Sequence, residues 1–285
     1  MRKSLLAVAV LGAFAANAMA ADVTLYGKID TGFAYTNAKK GTAKATNKFE
    51  MKSGIAGQSR WGMKGTEDLG NGYKVGFILE SGFTSDDGNS AQSTQNGRLF
   101  GREASINVSG PFGTVYAGRI GGLGGGSATS PVSLWGNGSA FGTVYSNNAL
   151  SKTLQSNADR MDNSLAYESP SFGGLKVYAF YSMGGDSIND TGKENCEEVE
   201  RSYALGAKYA NGPIVVFGVV DQMNYKNEYN YPDNDDSLAV TIGGSYDFGV
   251  AKIYATGQYF DKLKNSTQTD HLNKSVLTVT GANQI

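Results

Sequence analysis

The chain has 285 residues, with 25 basic and 26 acidic side chains and only one histidine and one cysteine. That near balance excludes a generic nucleic-acid binder, the lone Cys196 excludes an intramolecular disulfide, and zinc sites or Cys–His pairs have little to work with. Glycine at 39, Tyr at 16 and Phe at 13 against only 5 prolines favour strands with aromatic faces joined by tight turns.

Residues 1–20 read as a secretory signal peptide. Arg2 and Lys3 precede an apolar run from Leu5 to Ala16, and Ala18-Met19-Ala20 supplies small residues at the cleavage positions. The run is too short to span about 30 Å of hydrocarbon as a helix. Loss of this leader removes two basic residues, so 23 basic against 26 acidic side chains leave a mature charge of −3. The longest later apolar run, "IVVFGVV" at 214–220, is far below the ~20 residues of a membrane helix. If residues 21–285 enter a membrane, they do so as strands.

From Asp22 the chain reads "DVTLYGKIDTGFAY". Val23, Leu25, Ile29, Phe33 and Tyr35 share one parity, and Thr24, Lys28 and Asp30 share the other. In "SRWGMKGTEDLGNGYKVGFILESGF" (59–83), Trp61, Met63, Val75, Phe77 and Leu79 take one face, while Arg60, Lys64, Lys74 and Glu80 take the other. The alternation returns at "SLAYES", "SYALGAKY", "SLAVTIGGSY" and "AKIYATGQY", in segments of the length a tilted strand needs to cross a bilayer. Short turns such as "DLGNGYK", "SGPFG" and "ANGP" alternate with longer polar segments at 84–98, 120–159, 183–199, 222–236 and 261–275. Aromatics stand near strand ends at Tyr26, Tyr35, Tyr73, Phe83, Tyr209, Tyr246 and Tyr259, as interface girdles do.

These features predict an all-β, antiparallel transmembrane β-barrel. A soluble sandwich also alternates, but its loops are more even in length and its apolar parity faces a dry core. One Arg or Lys turned to lipid at the midplane costs about 2–4 kcal/mol. The charged parity therefore requires a wet interior.

The export leader, "VTLYGKID", "SRWGMKGTEDLGNGYKVGFILESGF", "RLFGREASINVSGPFGTVYAGR" and "DNSLAYESPSFGGLKVYAFY" together closely resemble the general porins of Gram-negative outer membranes, above all the β-proteobacterial and neisserial kind. The resemblance implies a sixteen-strand barrel, usually a homotrimer in outer-membrane lipid and lipopolysaccharide, that passes small hydrophilic solutes and ions and uses no cofactor. It implies a third external loop, here 120–159, folded into the lumen as a constriction.

By motif position, Arg60, Arg102, Arg119 and Arg160 match basic wall positions at that constriction, with Lys28 and Lys64 as outer members. The loop's charge is unusual. From Ile120 to Ala158 there is no Asp or Glu and only Lys152, although 26 acidic residues in 285 predict about 3.6 in these 39 positions. The family commonly sets carboxylates on this loop against the arginines, so the negative half of the arrangement is expected to be missing and anions to be favoured. Arg102 conflicts with simple parity, because Ala104, Ile106 and Val108 on its parity read as lipid-facing. Either a bulge intervenes, or Ser105 and Asn107 point outward in a subunit interface.

About eleven clear strands and a doubtful twelfth at "SVLTVT" are legible, whereas family members run further and finish on an aromatic residue. An unclosed sheet is not tolerated in lipid, so roughly the last quarter of a barrel is expected to lie beyond this sequence. Other motifs are weak. "GRIGGLGGGS" lacks the following Gly-Lys-Ser/Thr and a βα unit, and reads as a glycine hinge. "DNDD" at 233–236 lacks the spacing of a calcium loop, and Cys196 reads as an unpaired loop residue. The sole histidine, His271, sits in the polar "QTDHLNKS". The rival functions are a barrel hydrolase dependent on His271 and a plugged structural or adhesive barrel.

Overall fold

Asn71 and Gly72, at φ 53° and 81°, form the two-residue turn that joins the first long antiparallel pair, as hairpin geometry requires. The computed structural model describes residues 22–39, 46–55, 57–91, 98–125, 130–134, 160–185, 194–195, 199–225, 236–264 and 271–283. Within them are fourteen strands: β1 (Asp22–Lys28), β2 (Thr31–Ala38), β3 (Thr46–Ser53), β4 (Arg60–Gly70), β5 (Tyr73–Gly82), β6 (Glu103–Gly110), β7 (Gly113–Gly121), β8 (Arg160–Glu168), β9 (Leu175–Ser182), β10 (Arg201–Asn211), β11 (Ile214–Asn224), β12 (Ser237–Asp247), β13 (Ala251–Lys264) and β14 (His271–Asn283). Twelve form one antiparallel sheet in the order β1-β4-β5 and then consecutively to β14, while β2 and β3 pair as a separate hairpin. β1 and β14 are the outer strands of the sheet, and no pairing joins them among the described residues.

The first strand of the sequence pattern is broken at Ile29–Asp30. β1 bonds β4, with Lys28 opposite Arg60, and the chain beyond Asp30 bonds β3 instead. Asp30 holds the junction: its carboxylate accepts the amides of Ile55 at 3.0 Å and Gly57 at 2.8 Å, and its carbonyl accepts that of Gly54. β3, "TNKFEMKS", escapes a reading based on long alternation because only Phe49 and Met51 mark its apolar parity. β14 begins at His271, so the segment expected as a loop at 261–275 is mostly strand, and His271 is a ladder partner of Lys264.

Cross-strand partners share a face, and the ladders carry one consistent division across the sheet. The outer face bears Ile106, Leu165, Leu205, Val216, Val220 and Ile242; Leu205 is 68% and Ile242 62% exposed. That is the apolar band a lipid environment favours. Aromatic pairs stand at the short-turn rim, Tyr73 with Phe112 and Tyr246 with Phe248, at ring separations of 6.3 and 4.5 Å. Two expected girdle members differ. Tyr26 faces inward and donates to Glu80, and Phe83 lies past the end of β5, bridged to Ser90.

The inner face is not uniformly wet. On β8–β11 it carries Ala166, Tyr178, Phe180, Ala204, Phe217 and Val219, all buried in one cluster with Leu123, Val132 and Leu134 from the segment after β7. The apolar run "IVVFGVV" follows: Val216 and Val220 point outward, while Val219 lies against Gly124 of the chain's own loop and Phe217 is buried over Gly243 of β12.

Candidate functional site

The loop enters the interior through residues 122–125 and returns at 130–134. Leu134 donates its amide to the Leu123 carbonyl at 3.0 Å, Ser133 Oγ to Gly125 O at 2.7 Å and Ser130 Oγ to Gly121 O at 3.2 Å. Two glycines lie against side-chain ends where the segment is seated. A Cβ at Gly206 of β10 would stand 2.5 Å from Leu134 Cδ1, and one at Gly124 would stand 2.4 Å from Asp221 Oδ2 of β11. Gly124 in the glycine-rich stretch thus lies against the side chains of Asp221 and Val219 on β11. Residues 126–129 and 135–159 lie outside the described residues, as do residues 1–20, Cys196 and positions 233–235 of "DNDD".

The inner wall on β4–β6 is charged. Glu80, on the inner face of β5 and 3% exposed at its side chain, takes Arg102 Nε at 2.6 Å and Tyr26 Oη at 3.0 Å, with Arg60 Nε at 3.7 Å. Arg102 also donates to Gln58. Lys64 stands 5.6 Å above the Tyr26 ring, and Lys28 pairs with Asp30 at 3.3 Å. Arg160 donates Nε to the Arg102 carbonyl at 3.0 Å. Register sets Glu103 directly across from Glu80; it is fully buried, with Ser105 donating to Oε1 at 2.8 Å and Oε2 without a hydrogen-bond partner. Of the two buried carboxylates, Glu80 takes the guanidinium contact through Arg102, whereas Glu103 is bonded by the Ser105 hydroxyl.

Arg102 resolves its parity conflict without a bulge in β6 and without an outward Ser105. The β6 ladder starts one residue later, at Glu103, and the Arg102 amide bonds Glu80 O at 3.1 Å. Its side chain thus lies outside the strand's alternation and turns inward, while Ala104, Ile106 and Val108 face out as their chemistry asks.

Arg119 forms a second group. It lies opposite Ala104, on the parity of Val115 and Ala117, after Gly118 at φ 130° and where the β7–β8 register slips. It donates Nη1 to Asp162 Oδ1 at 2.6 Å and Nε to Gly101 O at 2.9 Å, and Arg98 shares Asp162 at 2.6 Å. The structure therefore gathers Arg60, Arg102, Lys28 and Lys64, joins Arg160 through a carbonyl, and holds Arg119 with different partners.

The carboxylates at this wall do not come from the loop. The described part of the loop supplies none, but Glu80, Glu103 and Asp162 come from the barrel wall itself. Sequence reasoning left out Glu103, Asp162 and Arg98 as site residues. The available signal was adjacency, since "GRE" and "RMD" set an acid within two residues of each arginine.

An antiparallel sheet with lipid-compatible aliphatic residues outside, ion pairs inside and a loop seated on its inner wall is the architecture of a bacterial porin. The chain belongs to the Gram-negative porin family, whose family model matches residues 7–282. It is 36% identical over 272 residues to an outer membrane porin protein of Bordetella pertussis, and 34% identical over 255 residues to outer membrane porin protein 32 of Delftia acidovorans. Each match covers 89% of this chain and 68% of the relative. Among solved structures, an anion-selective porin from Comamonas acidovorans matches at 25% identity with a TM-score of 0.61, over 91% of this chain and 72% of that one. The fold is that of an outer-membrane channel rather than an enzyme.

Proposed function

We propose that this chain forms the wall of a water-filled channel through which small hydrophilic solutes and ions diffuse passively, with a preference for anions. The observation that carries the preference is the charge of the inner wall beside the loop. Lys28, Arg60, Lys64, Arg102 and, through the Arg102 carbonyl, Arg160 meet three carboxylates, Asp30, Glu80 and Glu103. Five cations against three leave an excess of two positive charges. In an aqueous neck with low-dielectric walls, such an excess concentrates anions and repels cations. Arg119 and Arg98 form a second group beside this wall, two cations sharing the one carboxylate of Asp162.

Residues 120–159 narrow the neck in this reading, and residues 1–20 are a leader removed on export to the outer membrane. The aromatic and aliphatic outer face of β1–β3, with Phe33 stacked on Phe49 at 5.6 Å, suits a homotrimer contact. That contact lies in outer-membrane lipid and lipopolysaccharide. The test is the reversal potential of the assembled protein across a salt gradient in a planar bilayer. It is expected to report anion preference, and Arg60→Glu with Arg102→Glu is expected to move it toward cations. A cation-preferring wild type refutes the charge argument. Unheated gel mobility and subunit cross-linking report the trimer.

A further inference from the structure

A second basic site lies on the inner face at the opposite, short-turn rim. Lys176 is the second residue of β9, just after the turn at 169–174, and Lys208 lies three residues before the end of β10. The ladder sets them directly opposite each other. On an antiparallel pair such partners have Cβ atoms about 4.5–5.5 Å apart, and like charges there repel. Both share the inward parity of Tyr178 and Gly206. With Ser171, Gly174, Tyr178 and Ala210 they line a cavity of about 270 Å³.

Charge around the cavity is uneven. Lys176 pairs with Glu168 of β8. Among the described residues no carboxylate lies within ion-pair distance of Lys208, whose charged neighbours are Lys176, Glu168 and Lys252. Lys252 is turned to the Tyr254 ring, 5.3 Å from its centre, and stands opposite Asp247. Lys208 is half-buried, so water screens its charge only in part. Two opposed ammonium groups, with the one carboxylate on β8 beyond Lys176 and paired with it, lack an anion on the cavity side.

We propose that this cavity is a binding station for a small polyvalent oxyanion of the phosphate class, held between Lys176 and Lys208 at the short-turn mouth of the channel. Glu168 sets the affinity low enough for release, because it occupies one donor of Lys176. The proposal rests on the channel reading only for the route by which the anion arrives. It assigns a station separate from the arginine wall, which lies toward the long-loop ends of β4–β6.

The test is single-channel recording of the full chain reconstituted in planar bilayers in potassium chloride, with inorganic phosphate titrated in. Wild type is expected to show a saturable fall in chloride current. Lys208→Gln is expected to raise the half-blocking phosphate concentration about tenfold, in line with one lost charge-assisted contact, and Lys208→Arg to restore it. Lys176→Gln gives a second reading if Lys208→Gln does not assemble. Equal block in wild type and both glutamine variants overturns the proposal, as does absence of block in a wild type whose chloride reversal potential still reports anion preference. A cation-preferring reversal potential with the Lys208-dependent block intact overturns the selectivity reading and upholds this station.

Discussion

The two halves of the inner wall solve one problem in opposite ways. Under β4–β6 the inner parity carries Arg60, Glu80 and Glu103, and every described guanidinium there is tied to a carboxylate or a carbonyl. Under β9–β11 the same parity carries Tyr178, Phe180, Phe217 and Val219, covered by Leu123, Val132 and Leu134. Inner residues are therefore polar where water or ions reach them and apolar where the chain's own loop excludes water. Facing inward does not by itself determine chemistry in a channel; what lies next to the residue does.

The sharpest way to break this contrast is to remove an inner side chain of β11 and its outer neighbour separately. Phe217 is 1% exposed in the same buried cluster as the loop residues, whereas Val216 is 47% exposed on the lipid side. Phe217→Ala is expected to destabilise the folded protein by about 3–5 kcal/mol through cavity formation. Val216→Ala keeps most of its contacts with lipid and is expected to cost well below 1 kcal/mol. Urea titrations in detergent or lipid compare the two. Equal losses would show that the loop does not cover β11, and then single-channel conductance of both variants should also be alike.

The charged half is probed by Glu80→Gln. The amide keeps the size of the carboxylate but leaves Arg102, 5% exposed at its side chain, without its anion at 2.6 Å. Breaking a buried pair from one side costs about 3 kcal/mol, and partial water access to Arg60 pulls the value toward 2 kcal/mol. The same change raises the positive excess of the wall from two to three. Reversal potential should therefore move toward anions while stability falls, and a move toward cations would place Glu80 outside the conducting path.

The fold was largely legible because lipid outside and charge inside impose period two on nearly every strand, and hairpin turns carry their own Gly and Asn signals. The short β3 was not, since two apolar residues make too brief a pattern, and the polar start of β14 at His271 hides a strand behind loop composition. The site was half legible. Arg60, Lys64 and Glu80 follow from parity alone, and Arg102 from motif position. Its inward turn depends on where a ladder begins, which no alternation encodes. Arg119 and Asp162 depend on a register slip between β7 and β8 with Asn163 at φ 49°. "GRIGGLGGGS" reads as a glycine hinge because the loop's contacts involve partners far along the chain, Gly206 for Leu134 and Asp221 for Gly124.

The smallest expected effect lies outside both halves, in the loop after β5, and it separates wall electrostatics from loop electrostatics. Asp87 accepts a hydrogen bond from the Thr84 hydroxyl, the amide of Asn89 at 3.0 Å and the Asn89 side-chain amide at 2.8 Å. These donors, the Thr84 hydroxyl foremost, hold its carboxyl below the usual carboxylate range. A carboxyl depressed in the folded state stabilises its loop at pH values above the unfolded pKa, near about 3.9 for Asp. That contribution is lost as pH falls through the folded value. Asp87→Asn should abolish the pH dependence of amide-exchange protection at Gly88 and Asn89 while leaving the reversal potential of the channel where it was. If the variant shifted selectivity as Glu80→Gln does, the loop charge would have to act on the conducting path across the rim, and the division between wall and loop would fail.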